Sequence, residues 1–234
     1  MRLQLRLSNI RKSYRNVSVL IDCTYNFDNT GVYVIMGKNG SGKSTLLRIA
    51  ALLESPNYGS VEYYINGVLQ RTDIQLKRRI TIVLPKIGVF NTSVYTNVAF
   101  GLKIRGLRGK ELDERVRDVL SFVGLHHKIK QNALTLSSGE TQRLGIARAI
   151  AINPAFLFLD EPTSFIDEEN TKVIEDIILQ LKDDKKSTII MTTHDKNQAE
   201  RLGDFILLLN KGMLFPGDKQ AQNTLFSSSY LENI

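Results

Sequence analysis

Eight residues, Gly37-Lys38-Asn39-Gly40-Ser41-Gly42-Lys43-Ser44, carry the first recognisable chemistry of this chain. Their spacing fits G-x-x-x-x-G-K-S/T, in which glycines let backbone N–H groups point inward at the positive end of a helix dipole and cradle an anion. In such a loop Lys43 reaches the terminal phosphates of a nucleotide and the Ser44 hydroxyl binds Mg²⁺. A second stretch, Leu159-Asp160-Glu161-Pro162, ends an apolar run with two carboxylates. That places them at the carboxyl edge of a parallel sheet, where α/β proteins bind ligands. Asp160 would hold Mg²⁺ opposite Ser44, and Glu161 would take the proton from an attacking water. Taken alone, the pair could equally cap a helix. A third stretch, Leu136-Ser137-Ser138-Gly139-Glu140 followed by Thr141-Gln142-Arg143, has the chemistry of a helix N-cap. A helix start with serine and glycine is also an anion site, and the two readings are compatible.

These residues need elements to hold them. Val32 to Met36 is apolar throughout, as expected of a strand buried on both faces, and the apolar run from Thr45 to Leu53 is long enough for a buried helix closed by Ser55-Pro56. Leu3, Leu5 and Leu7 alternate with polar residues, a second alternating strand runs from Val17 to Phe27, and Asn66-Gly67 turns the strand Val61 to Ile65 back into Val68-Leu69. Arg79 to Leu84 is a buried strand stopped by Pro85. From about 87 to 152 the spacing is helical, with Leu112, Val116, Val119, Leu120 and Val123 on one face, Gly124 as C-cap, and a further helix from Ser138 to Ile152. Alternation of strand and helix then returns through Phe156 to Leu159, Asp167 to Leu181, Thr188 to Met191, and a hairpin of Phe205 to Leu209 with Met213 to Phe215. The expected fold is α/β: a mostly parallel sheet around a phosphate-loop core, an antiparallel β layer, and an inserted helical subdomain. One domain is expected, with its core at 1–86 and 153–234 and the helical subdomain at about 87–152. The end of the chain, with Ser227-Ser228-Ser229, is expected to fray.

The chain has 234 residues, enough for a substantial core, and no apolar run approaches the ~20 residues that span a bilayer. Its N-terminus lacks the apolar centre of a secretory signal. The single cysteine, Cys23, excludes an internal disulfide framework. A net charge of +7, with basic clusters at Arg2 to Arg15, Lys77-Arg78-Arg79 and Lys103 to Lys110, suits nucleotide, anionic lipid, nucleic acid or simply solvent, and decides among none of them.

Over essentially its whole length the sequence resembles the nucleotide-binding subunit of ATP-binding-cassette transporters. Leu136 to Glu140 is similar to that family's LSGGQ signature, with Ser138 and Glu140 in place of a glycine and the glutamine. The resemblance implies that Gly37 to Thr45 bind ATP phosphates with Mg²⁺, and that Tyr14 stacks on adenine. Ser164-Phe165-Ile166-Asp167 resembles the D-loop of the dimer, through Ser164 and Asp167. His194, by itself a strand-end histidine, resembles the switch histidine that contacts the γ-phosphate. It further implies a head-to-tail homodimer, in which Ser137, Ser138 and Gly139 of one copy complete the ATP site of the other. A transmembrane permease, an extracytoplasmic substrate-binding protein and a peripheral place on the cytoplasmic membrane face complete the expected system. Thr92 to Tyr95 and Asn97 to Leu102 resemble importers of small oxyanions, tungstate, molybdate and phosphate among them. Nucleic acid is the lesser partner: a soluble cassette acting on it, or in complex assembly, is the alternative reading. The family's Q-loop glutamine falls on Pro85, which has no side-chain donor or acceptor; a weakly hydrolysing nucleotide switch is therefore also open.

Overall fold

The computed structural model describes residues 2–217, so the expected fraying at Ser227-Ser228-Ser229 lies outside the described residues. Two compact units form, one from Leu3–Gln70 with the described residues from Ile190 on, the other from Arg71–Ile189.

In the first unit β1 (Leu3–Tyr14) pairs antiparallel with β2 (Val17–Phe27). Leu3, Leu5 and Leu7 are buried as alternation requires, but the next buried residue is Ile10. Asn9 changes the phase: its φ is +51°, and the register shifts between Leu7 and Ile10. A bulge of this kind lets the strand run on past the strictly alternating stretch. β3 (Val32–Met36) is buried at every position, and α1 (Lys43–Ala50) follows the glycine-rich loop. This helix is shorter than its apolar run, because Leu52 takes a φ of +59°, which no helix continues through, and Leu53 is left exposed. β4 (Tyr58–Ile65) pairs with β1 and returns through Asn66-Gly67, both at positive φ, into β5 (Val68–Leu69).

The second unit contains α2 (Ile74–Lys77), β6 (Ile80–Val83), α3 (Val94–Ile104), α4 (Gly109–Phe122), α5 (Ser138–Ala151), β7 (Phe156–Asp160) and α6 (Glu168–Asp184). β6 and β7 pair in parallel, and α3, α4 and α5 pack on one another. Leu112, Val116, Val119 and Leu120 form the buried face of α4, and Gly124 at φ +70° ends it. Asn97, 1% exposed on α3, ties down the segment that follows β6. Its Oδ1 accepts from the Phe90 amide at 2.9 Å, while its Nδ2 donates to the carbonyls of Phe90 at 3.1 Å and Ser93 at 3.0 Å.

β8 (Thr188–Thr193) begins in the last two residues of the second unit, and from Ile190 the chain completes the first with α7 (Lys196–Leu202), β9 (Phe205–Asn210) and β10 (Met213–Pro216). Strand order in this unit is β5-β4-β1-β2-β10-β9-β3-β8. β3 runs parallel to β9, so the antiparallel layer and the parallel strands meet through the β9–β10 hairpin. Tyr33 stacks on Phe205 of β9 with centroids 4.4 Å apart and meets the edge of Phe27 at 4.9 Å, tying β3 to its neighbour β9 and to the end of β2. The fold is the expected mixed α/β arrangement. No described helix is long and apolar enough to cross a membrane.

Candidate functional site

The phosphate loop is built where β3 gives way to α1. Gly37 passes so close to β9 that a Cβ there would lie 2.5 Å from the Leu209 carbonyl oxygen. Gly42, at the N-cap of α1, has a φ of +101° that side chains rarely adopt, and a Cβ would press on Val19 and Leu20 at 2.9 Å. Because the N-cap is glycine, no side chain caps α1, and no acidic residue stands in its first turn. Its leading N–H groups and positive dipole end are therefore aimed at the loop. Lys43 is 4% exposed, and its ammonium donates to the carbonyls of Gly37 at 2.9 Å and Lys38 at 3.2 Å. The Ser41 hydroxyl is buried with no hydrogen-bond partner among the described residues, whereas Lys38, Asn39 and Gly40 are exposed. A buried hydroxyl, a buried ammonium and an uncapped helix start suit a polyanion with several acceptor oxygens.

Tyr14, Ser44, Thr45 and His194 belong to the same unit. Thr45 is buried in α1, and Ser44 beside it is half-buried. Tyr14 ends β1 with its ring 39% exposed, and its hydroxyl donates to Glu54. His194 is exposed immediately beyond β8, the neighbour of β3 in the sheet. Asp195 next to it caps α7 by accepting from the amides of Asn197 at 2.8 Å and Gln198 at 3.2 Å, which fixes the backbone leaving His194.

The other candidate residues lie in the second unit. Asp160 closes β7 and is 1% exposed. Glu161 adopts a φ of +45°, an uncommon conformation for a residue with a side chain and one often found at functional sites. Ser164 holds it there: its hydroxyl donates to Glu161 Oε2 at 2.8 Å and its amide to the Glu161 carbonyl at 3.1 Å. Asp167 caps α6, and the amide and side chain of Asn170 donate to it at 2.7 to 3.0 Å. Those bonds keep the Asp167 carboxyl below the usual range.

Leu136 leads into α5, and Ser137 caps it in a capping box: Glu140 donates its amide to Ser137 Oγ at 3.3 Å and accepts from the Ser137 amide at 3.0 Å. Glu140 also pairs with Lys128 at 2.6 Å. Ser138 is exposed on the first turn, whereas Gly139 is buried against the Asn170 side chain. The second unit thus joins the 136–140 stretch to the 164–167 loop through Asn170, a residue that no motif singled out. Glu54 and Lys128 were equally invisible in the sequence, since each acts on a partner outside its own local pattern.

A serine hydroxyl and an aspartate carboxylate, the side chains of Ser44 and Asp160, are by their chemistry hard oxygen donors of the kind Mg²⁺ prefers beside phosphate oxygens and water. The donor set fits that ion.

A family profile described as ABC transporter matches residues 20–164. The tungstate uptake system ATP-binding protein TupC of Peptoclostridium acidaminophilum is 38% identical over 216 residues, covering 92% of this chain and 99% of that protein. The phosphate import ATP-binding protein PstB 2 of Aliivibrio fischeri is 36% identical over 236 residues, covering 96% of this chain and 85% of its own length. Among solved structures, a bacterial ABC transporter cassette determined as a dimer superposes with a TM-score of 0.79 at 28% identity, covering 90% of this chain and 96% of its own. Its dimeric post-hydrolysis state, bound to ADP and phosphate, gives a TM-score of 0.80 at 27% identity. With the phosphate loop built as described, the chain belongs to the ABC transporter family, as one of its ATP-binding subunits.

Proposed function

We propose that this chain hydrolyses ATP to power an importer of a small oxyanion such as tungstate. The observation that carries this reading is the loop from Gly37 to Thr45, with its buried lysine and uncapped helix start, in a chain similar along its length to tungstate and phosphate import subunits. The loop amides and Lys43 bind the β- and γ-phosphates, and the Tyr14 ring takes the adenine. Ser44 and Asp160 hold Mg²⁺, which when bound neutralises charge on the phosphates. Glu161 accepts a proton from water as the water oxygen bonds to the γ-phosphorus and the bond to ADP breaks. His194 orients that water and contacts the γ-phosphate. Ser137, Ser138 and Gly139 of a second copy complete the site. ATP therefore joins two copies, and the loss of the γ-phosphate bridge separates them.

In this reading the cassette is one domain with a core at 1–86 and 153–234 and a helical subdomain at about 87–152. It sits on the cytoplasmic face of the membrane against a permease that is served by an extracytoplasmic substrate-binding protein. A groove of about 510 Å³ in the second unit supports the permease contact: Phe100 and Ile104 lie exposed along it, and Arg78, Arg105, Arg148 and Lys86 line it with no carboxylate among them. An amphipathic permease segment with acidic ends would match it. Pro85 favours a second reading, a slow nucleotide switch, because proline offers neither donor nor acceptor where the family has glutamine.

The test is co-expression with a candidate oxyanion permease and its binding protein, followed by reconstitution in vesicles. Tungstate, but not sulfate, should raise the rate of Mg-dependent ATP hydrolysis. Hydrolysis indifferent to every oxyanion would end the cargo assignment, and a rate near background with tight ATP binding would favour the switch.

A further inference from the structure

We infer that Glu54 is a positioning residue for the nucleobase, locking the Tyr14 ring to the helix that carries the phosphate loop. The inference rests on the reading of Tyr14 as the adenine platform. Tyr14 stands at the last position of β1, ahead of Arg15 and Asn16, both at positive φ, in the turn to β2. A half-exposed ring at a strand end would sample several rotamers and would lose that freedom on stacking.

Here one carboxylate prevents it. Glu54 Oε1 accepts from the Tyr14 hydroxyl and from the Lys12 ammonium at 2.9 Å, and Oε2 accepts from Arg48 Nε at 3.2 Å. Lys12 shares a strand face with Tyr14 and stands 5.2 Å from its ring centroid. It also donates to the Ser55 carbonyl at 2.8 Å, so the ammonium holds the ring and the Glu54 segment together. Two further bonds close the same seam: the Asn57 amide donates to the Arg11 carbonyl and the Ser13 amide to Asn57 Oδ1, each at 2.8 Å. Arg48 lies on α1, the helix that begins with Lys43. The carboxylate therefore connects the ring to the element that binds phosphate, which fixes the spacing between base and phosphate contacts. Three donors on one carboxylate outweigh the burial that opposes its charge, and its pKa is held below the usual carboxyl range.

Calorimetric titration of the full chain with ATP and with inorganic tripolyphosphate separates base binding from phosphate binding. Tyr14→Phe and Glu54→Gln should each weaken ATP roughly three- to tenfold, the cost of ordering one free side chain, while tripolyphosphate affinity stays near the parent value, even though Glu54→Gln lowers the melting temperature by losing its ion pairs with Lys12 and Arg48. The double variant should be no worse than the weaker single one, because both remove the same tether. Tyr14→Ala should lose more ATP affinity than either. If Tyr14→Ala weakens ATP but Tyr14→Phe and Glu54→Gln bind it normally, the platform reading survives and the role of Glu54 is overturned. Equal losses for ATP and tripolyphosphate in Glu54→Gln would overturn it as well. Normal ATP affinity in Tyr14→Ala would remove both the platform and the inference.

Discussion

Asn170 fills the space that a side chain at position 139 would need: a Cβ on Gly139 would collide with its carboxamide. The same carboxamide donates to Asp167, so the first turn of α5 is packed on the cap of α6. Gly139→Ala must push these two helix starts apart or break the Asn170–Asp167 bonds. Overpacking of this kind costs about 1–3 kcal/mol, and thermal unfolding should show the loss. ATP hydrolysis should fall further than stability does, because Ser137 and Ser138 shift with the turn. Asn170→Ala combined with Gly139→Ala should restore part of the stability by making room for the methyl group.

Glu140 stands where the family signature carries glutamine, and here its charge is used. Burial works against the ionised carboxyl, but the bond from Lys128, the Ser137 amide and the nearby Arg143 outweigh it and hold its pKa below the usual range. A depressed folded value means that the contribution is fully present above the unfolded carboxyl value of about 4.3 and is lost as pH falls through the lower folded value. Glu140→Gln should therefore be less stable than the parent at pH 7, and the difference should close on acidification below about pH 4. Unfolding curves at pH 7, 5 and 3.5 check the sign. Lys128→Met should abolish most of the same difference.

The parts of the site set by short-range rules were legible in the sequence. The glycines of the phosphate loop declare themselves because backbone turning and close approach demand them locally, and β7 declares Asp160 because an apolar run ends on it. The ends of elements were harder. One left-handed residue, Asn9, shifted the alternation of β1, and another, Leu52, cut α1 short of its apolar run. The hidden residues are polar ones with distant partners. Glu54 meets Tyr14 across 40 positions, and such a pair carries no period and no motif. Lys128 was silent for the same reason, as was the packing of Asn170 on Gly139 from another helix: a side chain that serves a residue of another element leaves no mark on its own neighbourhood.

Pro85 follows β6 in a segment that Asn97 secures from the side of α3 through both backbone groups of Phe90. Replacing the proline should therefore change the side chain without moving the segment. Pro85→Gln supplies an amide that can orient water or reach the metal. In the complex with its permease, it should raise the ATP hydrolysis rate on the order of 10²-fold, the scale of one transition-state hydrogen bond. ATP affinity should hardly change, since the phosphate loop is untouched. An unchanged rate would mean that the proline costs this chain nothing, and the slow-switch reading would lose its support.

Glu161 offers the sharpest test of the proposed chemistry. Its φ of +45° and the bond from the Ser164 hydroxyl to Oε2 aim the carboxylate, while the Ser164 amide holds the Glu161 carbonyl. Glu161→Gln keeps an acceptor for the Ser164 hydroxyl, so the side chain should stay in place while its ability to take a proton is lost. Hydrolysis should drop by at least about 10²-fold, the contribution expected of a general base. ATP binding should persist, and removing a negative charge beside the γ-phosphate should favour the ATP-joined pair of copies. Size-exclusion chromatography of Glu161→Gln with ATP and Mg²⁺ should then show a dimer that the parent protein holds only until turnover. A monomer under those conditions would argue that two copies do not close on ATP, whereas an undiminished rate would remove Glu161 as the base and leave the proton without an acceptor.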